Sequence, residues 1–193
     1  SLYFDTPRLE DYADKAGGFS RRKKIRIRIY ERELTEATRI FWLEKKLRYD
    51  TVTAKDRVAL SRDEYTEILN GSKLRILHNL KKRGERDTEN IFRPLLAEKM
   101  RPHVLVRYRR IPFMGSVRIT LDHHIEACQT DNLGYTRFMR KVRTGSAVLE
   151  AKFAVALPLW FGNILREFDL RRTTFSKYAE AVETLYRYHP IPR

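Results

Sequence analysis

Residues 23–30 read KKIRIRIY, with Ile25, Ile27 and Ile29 alternating with Arg26 and Arg28. Successive side chains of a β-strand point to opposite faces. The segment is therefore a strand with one apolar and one cationic face, and its β-branched residues favour strand over helix. The same two-faced period recurs along the chain. Glu44 and Lys46 share a face in WLEKK, and Lys55 and Arg57 share one in TAKDR. So do Tyr108 and Arg110 in VRYRR, then Arg118, Thr120 and Asp122 in SVRITLD, and Glu150 and Lys152 in LEAKF. Val117, Ile119, Leu121, Leu149, Ala151 and Phe153 fill the alternate positions.

The pattern predicts a strand over 1–5 and a helix after it, with Thr6 as N-cap, Pro7 at the first helical position and Gly17 as the stop. Strands follow over 23–31, within 38–50 and within 51–60, the last two joined tightly near Tyr49–Thr51. Ser61 and Glu64 form a capping-box pattern that opens a helix. Residues 73–82 and 88–100 read as charged helices around a loop at Gly84. Segments 102–113 and 115–125 form a hairpin, 127–146 is polar and irregular, and 147–155 is a strand. Pro158 begins a short helix to about Phe168, and 173–188 is a terminal helix with Ser176 as N-cap. About seven mostly antiparallel strands with peripheral helices make an α+β fold. The opening, SLYFDTP, lacks Met and is already strand-like, which reads as a natural protein that begins upstream. One more strand there would allow closure into an eight-stranded antiparallel tunnel. No repeat, low-complexity tract or linker interrupts the chain, so 1–193 is taken as one domain.

Charge sharpens this picture. The chain carries 40 Lys and Arg against 25 Asp and Glu, a formal net charge of +15. Such an excess implies an anionic partner. A single strand with a charged face is normally solvated. Here six strands carry such faces, mostly Arg and Lys, which repel across neighbours unless an anion lies between them. A cationic lumen with the isoleucines facing outward under the helices satisfies this. Basic residues that alternate with apolar ones on several strands do not make the exposed cluster expected of a nucleic-acid binder. Each Glu-x-Lys pair fits either a divalent cation beside a phosphate or a cross-strand salt bridge. Cys128 is the single cysteine and excludes an internal disulfide, fitting a reducing, cytoplasmic setting or the cytoplasmic face of a membrane. No apolar stretch approaches a membrane span and no Gly-rich phosphate loop is present. His123 and His124 point opposite ways in a strand and so do not share a metal. Trp42 and Trp160 read as packing, and Lys81–Arg83 and Arg171–Arg172 as solvated basic patches.

SLYFDTP, RRKKIRIRIY, WLEKK, TAKDR, RYRR, SVRITLD, VLEAKF and TFSKY resemble, in order and spacing, the VTC domain, the polyphosphate polymerase module of the triphosphate tunnel (CYTH-like) superfamily. The resemblance runs from residue 1 to about residue 182, and the compact helical insert points to a bacterial-type member. It implies an eight-stranded tunnel in which ATP's γ-phosphate passes to inorganic polyphosphate with a divalent metal, Mn²⁺ or Mg²⁺. By motif it assigns Arg26 and Arg28 to the triphosphate, with Lys46 and Lys55 lining the same tunnel. Tyr108, Arg110 and Arg118 would contact phosphates, Glu150 would be the metal ligand and Lys152 its phosphate-binding neighbour. Ser176 and Lys177 would hold phosphate from the start of the terminal helix, with Glu44 an outer contact. The family pattern includes a further Glu-x-Lys-like strand upstream that this sequence lacks, which implies an opening on that side. A triphosphate hydrolase or a non-catalytic polyphosphate- or nucleotide-binding module would use the same lining. Oligomeric state is not legible.

Overall fold

The computed structural model describes residues 1–50, 52–134, 138–142, 146–153 and 156–186. The chain runs β1 (Leu2–Asp5), α1 (Glu10–Ala16), β2 (Arg21–Arg28), β3 (Phe41–Tyr49) and β4 (Val52–Leu60). Helices α2 (Arg62–Leu69), α3 (Lys73–Lys82) and α4 (Thr88–Ala97) follow. Then come β5 (Arg101–Phe113), β6 (Arg118–Gln129), β7 (Arg140–Lys141), β8 (Val148–Lys152), α5 (Leu159–Glu167) and α6 (Lys177–Tyr186). The fold is α+β. One antiparallel sheet has the order β4-β3-β2-β1-β5-β6-β7, and β8 also pairs with β6.

The alternation explains both faces. Leu2, Phe4, Ile25, Ile27, Leu43 and Val58 are buried on one side, with Ile68, Ile76, Leu80, Ile91, Phe92 and Leu95 of α2–α4. Full burial of a side chain the size of Ile25 contributes about 2 kcal/mol. On the other side Tyr3, Val104, Val106, Ile125 and Ala127 meet Tyr178, Ala181 and Val182 of α6. The isoleucines of β2 thus face outward under helices, as the alternation requires. The far flank differs, because Ile111, Phe113, Leu149 and Phe153 are exposed there.

Several expectations need correction. The sheet does not close: among the described residues no ladder joins β4 to β7 or β8. The unexpected eighth strand, β7, does not widen the sheet. It shares one edge of β6 with β8, pairing at Glu126 and Ala127 while β8 pairs at Arg118–Asp122. Helix α1 begins at Glu10, not at Pro7. The Thr6 hydroxyl accepts from Glu10 N, but the buried Asp5 carboxylate takes the next two amide protons, of Asp11 and Tyr12. That side chain also accepts from Tyr178 Oη at 2.5 Å, tying β1, α1 and α6 together. Finally, His123 and His124 do not point apart. A bulge on β6 opposite Tyr108 puts His124 at φ 49°, and the two Nδ1 atoms lie 2.5 Å apart in a hydrogen bond. The extra residue switches parity: Asp122 stays on the inner face and Ile125 also reaches it, under α6. Thr51, residues 154–155 and the end of the predicted terminal helix at 187–188 lie outside the described residues.

Candidate active site in the concave face

The register of β2, β3 and β4 sorts the inward side chains into rows, three of which are Lys24–Lys46–Lys55, Arg26–Glu44–Arg57 and Arg28–Trp42–Ala59. Across β5, β6 and β8 the rows are Arg110–Asp122–Val148, Pro112–Thr120–Glu150 and the pair Arg118–Lys152. The sheet curls these two flanks toward each other. Four strands separate β3 from β8, so in a flat sheet they would stand about 24 Å apart. Yet Lys46 feels the charges of both Glu150 and Lys152. The first turn of α6 bridges the same gap, with Lys24 Nζ bonded to Ser176 Oγ and Lys177 Nζ 2.5 Å from Asp122 Oδ2.

Glu44 is the hub of the middle row and only 2% exposed. Its Oε2 accepts from Arg26 Nε at 2.8 Å and from Nη2 at 2.7 Å. Its Oε1 lies 2.7 Å from Lys55 Nζ and 3.6 Å from Arg57 Nε. Burial by itself would raise this carboxyl, but Arg26, Lys55 and Arg28 outweigh it and hold it down at about 2. Arg57 stacks on Trp42 at 3.4 Å, so Trp42 is a platform on the inner face and not core packing. Arg26 also donates to Tyr3 Oη at 3.1 Å. Burial opposes ionisation of that phenol, yet Arg26 and Arg28 bring it below its ordinary value.

Tyr108 sits among three cations: Arg28 donates to its hydroxyl at 2.7 Å, and Lys177 and Arg110 lie 4.6 and 5.5 Å from its ring centre. Arg110 forks onto the fully buried Asp122 at 2.6 and 2.8 Å. Burial would raise the Asp122 carboxyl, but its bonds to Arg110 and Lys177 lower it. Glu150 is different. It is 44% exposed, 3.3 Å from Lys152 Nζ and 3.7 Å from Arg110 Nη2. Across the ladder stands Thr120, whose buried hydroxyl makes no hydrogen bond among the described residues. Ser176 Oγ accepts from Ala179 N and caps α6 as the sequence predicts.

The geometry brings Arg26, Arg28, Glu44, Lys46, Lys55, Tyr108, Arg110, Arg118, Glu150, Lys152, Ser176 and Lys177 to one concave face. It adds Tyr3, Lys24, Trp42, Arg57 and Asp122, which sequence reasoning either left without a role or read as packing. Strand parity alone places all five there. No cluster of three or more His, Cys, Asp or Glu side chains suits a metal among the described residues. The donor set nevertheless fits a hard cation that arrives with its substrate, because such ions take one or two carboxylates and complete their shell with phosphate oxygens and water. Glu150, open to solvent and beside the unsatisfied Thr120 hydroxyl, is the group placed to hold one.

The family model of the VTC domain matches residues 1–186. The chain belongs to the VTC domain family. Comparison with curated proteins finds no match. Membership gives the concave face of this VTC domain a polyphosphate-related context. No helix among the described residues is long and apolar enough to cross a membrane.

Proposed function

We propose that this VTC domain is a polyphosphate polymerase that transfers the γ-phosphate of ATP to the end of an inorganic polyphosphate chain. The observation that carries this reading is the density of inward cations on a curled sheet, with the accessible carboxylate of Glu150 among them. Phosphoryl transfer needs alignment and charge neutralisation more than covalent help from the protein. A terminal oxygen of polyphosphate attacks the γ-phosphorus in line. The new phosphoanhydride bond forms as the bond to the β-phosphate oxygen breaks, and ADP leaves with that electron pair. The acceptor oxygen is already anionic, so no general base is required.

Arg26 and Arg28 bind the triphosphate, while Arg110 and Arg118 neutralise the transferred group from the other flank. Lys46, Lys55 and Lys152 line the path of the chain, and Tyr108 steers Arg28. Ser176 and Lys177 offer the amino end of α6 to a phosphate. Glu44 is a positioning residue that keeps Arg26 and Lys55 aimed inward. A divalent ion, Mn²⁺ or Mg²⁺, held by Glu150 together with substrate oxygens would supply charge neutralisation.

A triphosphate hydrolase would use the same lining with water as acceptor. The two are separated by measuring ADP and orthophosphate in one reaction with ATP, Mn²⁺ and a short polyphosphate primer. The polymerase reading expects ADP without matching orthophosphate, and loss of ADP formation in Glu150→Ala with the fold retained. Equal ADP and orthophosphate would make the protein a hydrolase. Undiminished turnover in Glu150→Ala would overturn the metal assignment.

A further inference from the structure

The inward rows are not electrostatically alike. The middle row alternates sign, with Glu44 between Arg26 and Arg57. On the opposite flank Arg110 and Lys177 share Asp122. The row Lys24–Lys46–Lys55 contains no carboxylate. Lys24 and Lys46 are direct cross-strand partners, an arrangement that destabilises a sheet when the charges are alike. Lys55 turns to Glu44 at 2.7 Å, which leaves Lys24 and Lys46 with no ion pair among the described residues. Lys24 donates instead to the Ser176 hydroxyl, at the capped start of α6. Lys24 is partly buried and Lys46 exposed; their ammonium groups stand side by side, and the attraction of Glu150 for Lys46 is opposed by Lys152, Arg26 and Arg48, so the pair suits an added anion.

We propose that Lys24 and Lys46 form a phosphate subsite of their own, distinct from the arginine cluster, which holds an internal phosphate of a linear oligophosphate. The inference rests on the polyphosphate reading and deepens it. It sets Arg26 and Arg110, which carboxylates hold in fixed geometry, apart from Lys24 and Lys46, which receive charge from the ligand. Lysine suits that second task, because its ammonium is a compact point charge on a flexible stem. A chain sliding through can then exchange one phosphate for the next without a bidentate fork holding it back.

The groups facing Lys24 are Tyr3 from β1, Lys46 from β3, Lys15 from α1, Arg22 on its own strand and Ser176 from α6. Burial first, then Lys46, Lys15 and Arg22, pull its ammonium down to about 8, against the opposing pull of Tyr3. The subsite therefore loses charge as pH rises through about 8, whereas an arginine at the same place would keep it. In the unliganded fold the sign is reversed. A lysine with a lowered folded-state value costs stability below that value, and the cost disappears as pH rises from about 8 toward the ordinary lysine range.

The test is calorimetric titration of inorganic tripolyphosphate into this chain and its Lys24→Met and Lys24→Arg variants, without metal, at pH near 7 and about 9.5. At neutral pH the Met variant should bind about tenfold more weakly than wild type, with a higher Tm when unliganded, and the Arg variant within about threefold of wild type. At the alkaline pH wild type should weaken by about tenfold more than the Arg variant. Equal affinity of wild type and Lys24→Met, or an Arg variant that follows the wild-type pH curve, would overturn the subsite while leaving the polyphosphate reading intact. Absence of tripolyphosphate binding by wild type would remove both.

Discussion

At the scale of the residue, the decisive side chain is Glu44. It is enclosed by Arg26, Lys55 and Arg57, and removing one partner of a buried ion pair leaves the others uncompensated. Glu44→Gln should lower the unfolding free energy by about 3 kcal/mol in urea melts near neutral pH. Its folded-state carboxyl lies at about 2, below the ordinary value of 4.5. The stabilisation is therefore fully present above pH 4.5 and is lost as pH falls through about 2, so the gap between wild type and variant should shrink toward pH 2. A gap that is unchanged at low pH would contradict the hub. The face on which Glu44 lies was legible from its period-two spacing with Lys46. Its enclosure was not, because cross-strand register cannot be read from one strand. The dipeptide Lys23–Lys24 shows the same limit. Lys23 turns outward to Asp11 at 2.8 Å and Glu98 at 2.7 Å, while Lys24 turns into the concave face. Adjacent, identical residues serve the scaffold and the candidate site respectively.

At the scale of the element, the strands were legible and their irregularities were not. Alternation located β2–β6 and β8, and the Ser61–Glu64 capping box opens α2 as read. The α1 start was misplaced because Thr6–Pro7 has the look of a cap, while the acceptor for the next two amides is Asp5 at the end of the preceding strand. Tyr178→Phe removes the hydroxyl that joins α6 to that carboxylate, and should cost about 1–2 kcal/mol in thermal or chemical unfolding. The β6 bulge has no glycine or proline to mark it. His124 adopts a left-handed conformation that a side chain disfavours, so His124→Gly should raise stability by up to about 1 kcal/mol. Loss of stability in that variant would mean that the His123–His124 contact outweighs the backbone strain.

At the scale of the whole molecule, charge and curvature act together. A net charge of +15 on 193 residues is self-repulsive, and the curl of one sheet concentrates part of it on a single concave face. The family and the α+β class were legible because several weak motifs occur in order. Closure was not, since two edges meet only if the strand count and stagger agree, and β7 lies alongside β8 without widening the sheet. An oligophosphate that occupies this face should raise Tm, and added salt should reduce the shift, because screening weakens the exposed part of the interaction.

The most direct measurement is a time course with ATP, Mn²⁺ and a short polyphosphate primer, resolved on a gel stained for polyphosphate. A ladder that lengthens with time and disappears in Glu150→Ala is the predicted result. Primer that stays the same length while ATP is consumed would contradict polymerisation, and the inward lysines and arginines would then serve a ligand that is bound or hydrolysed but never extended.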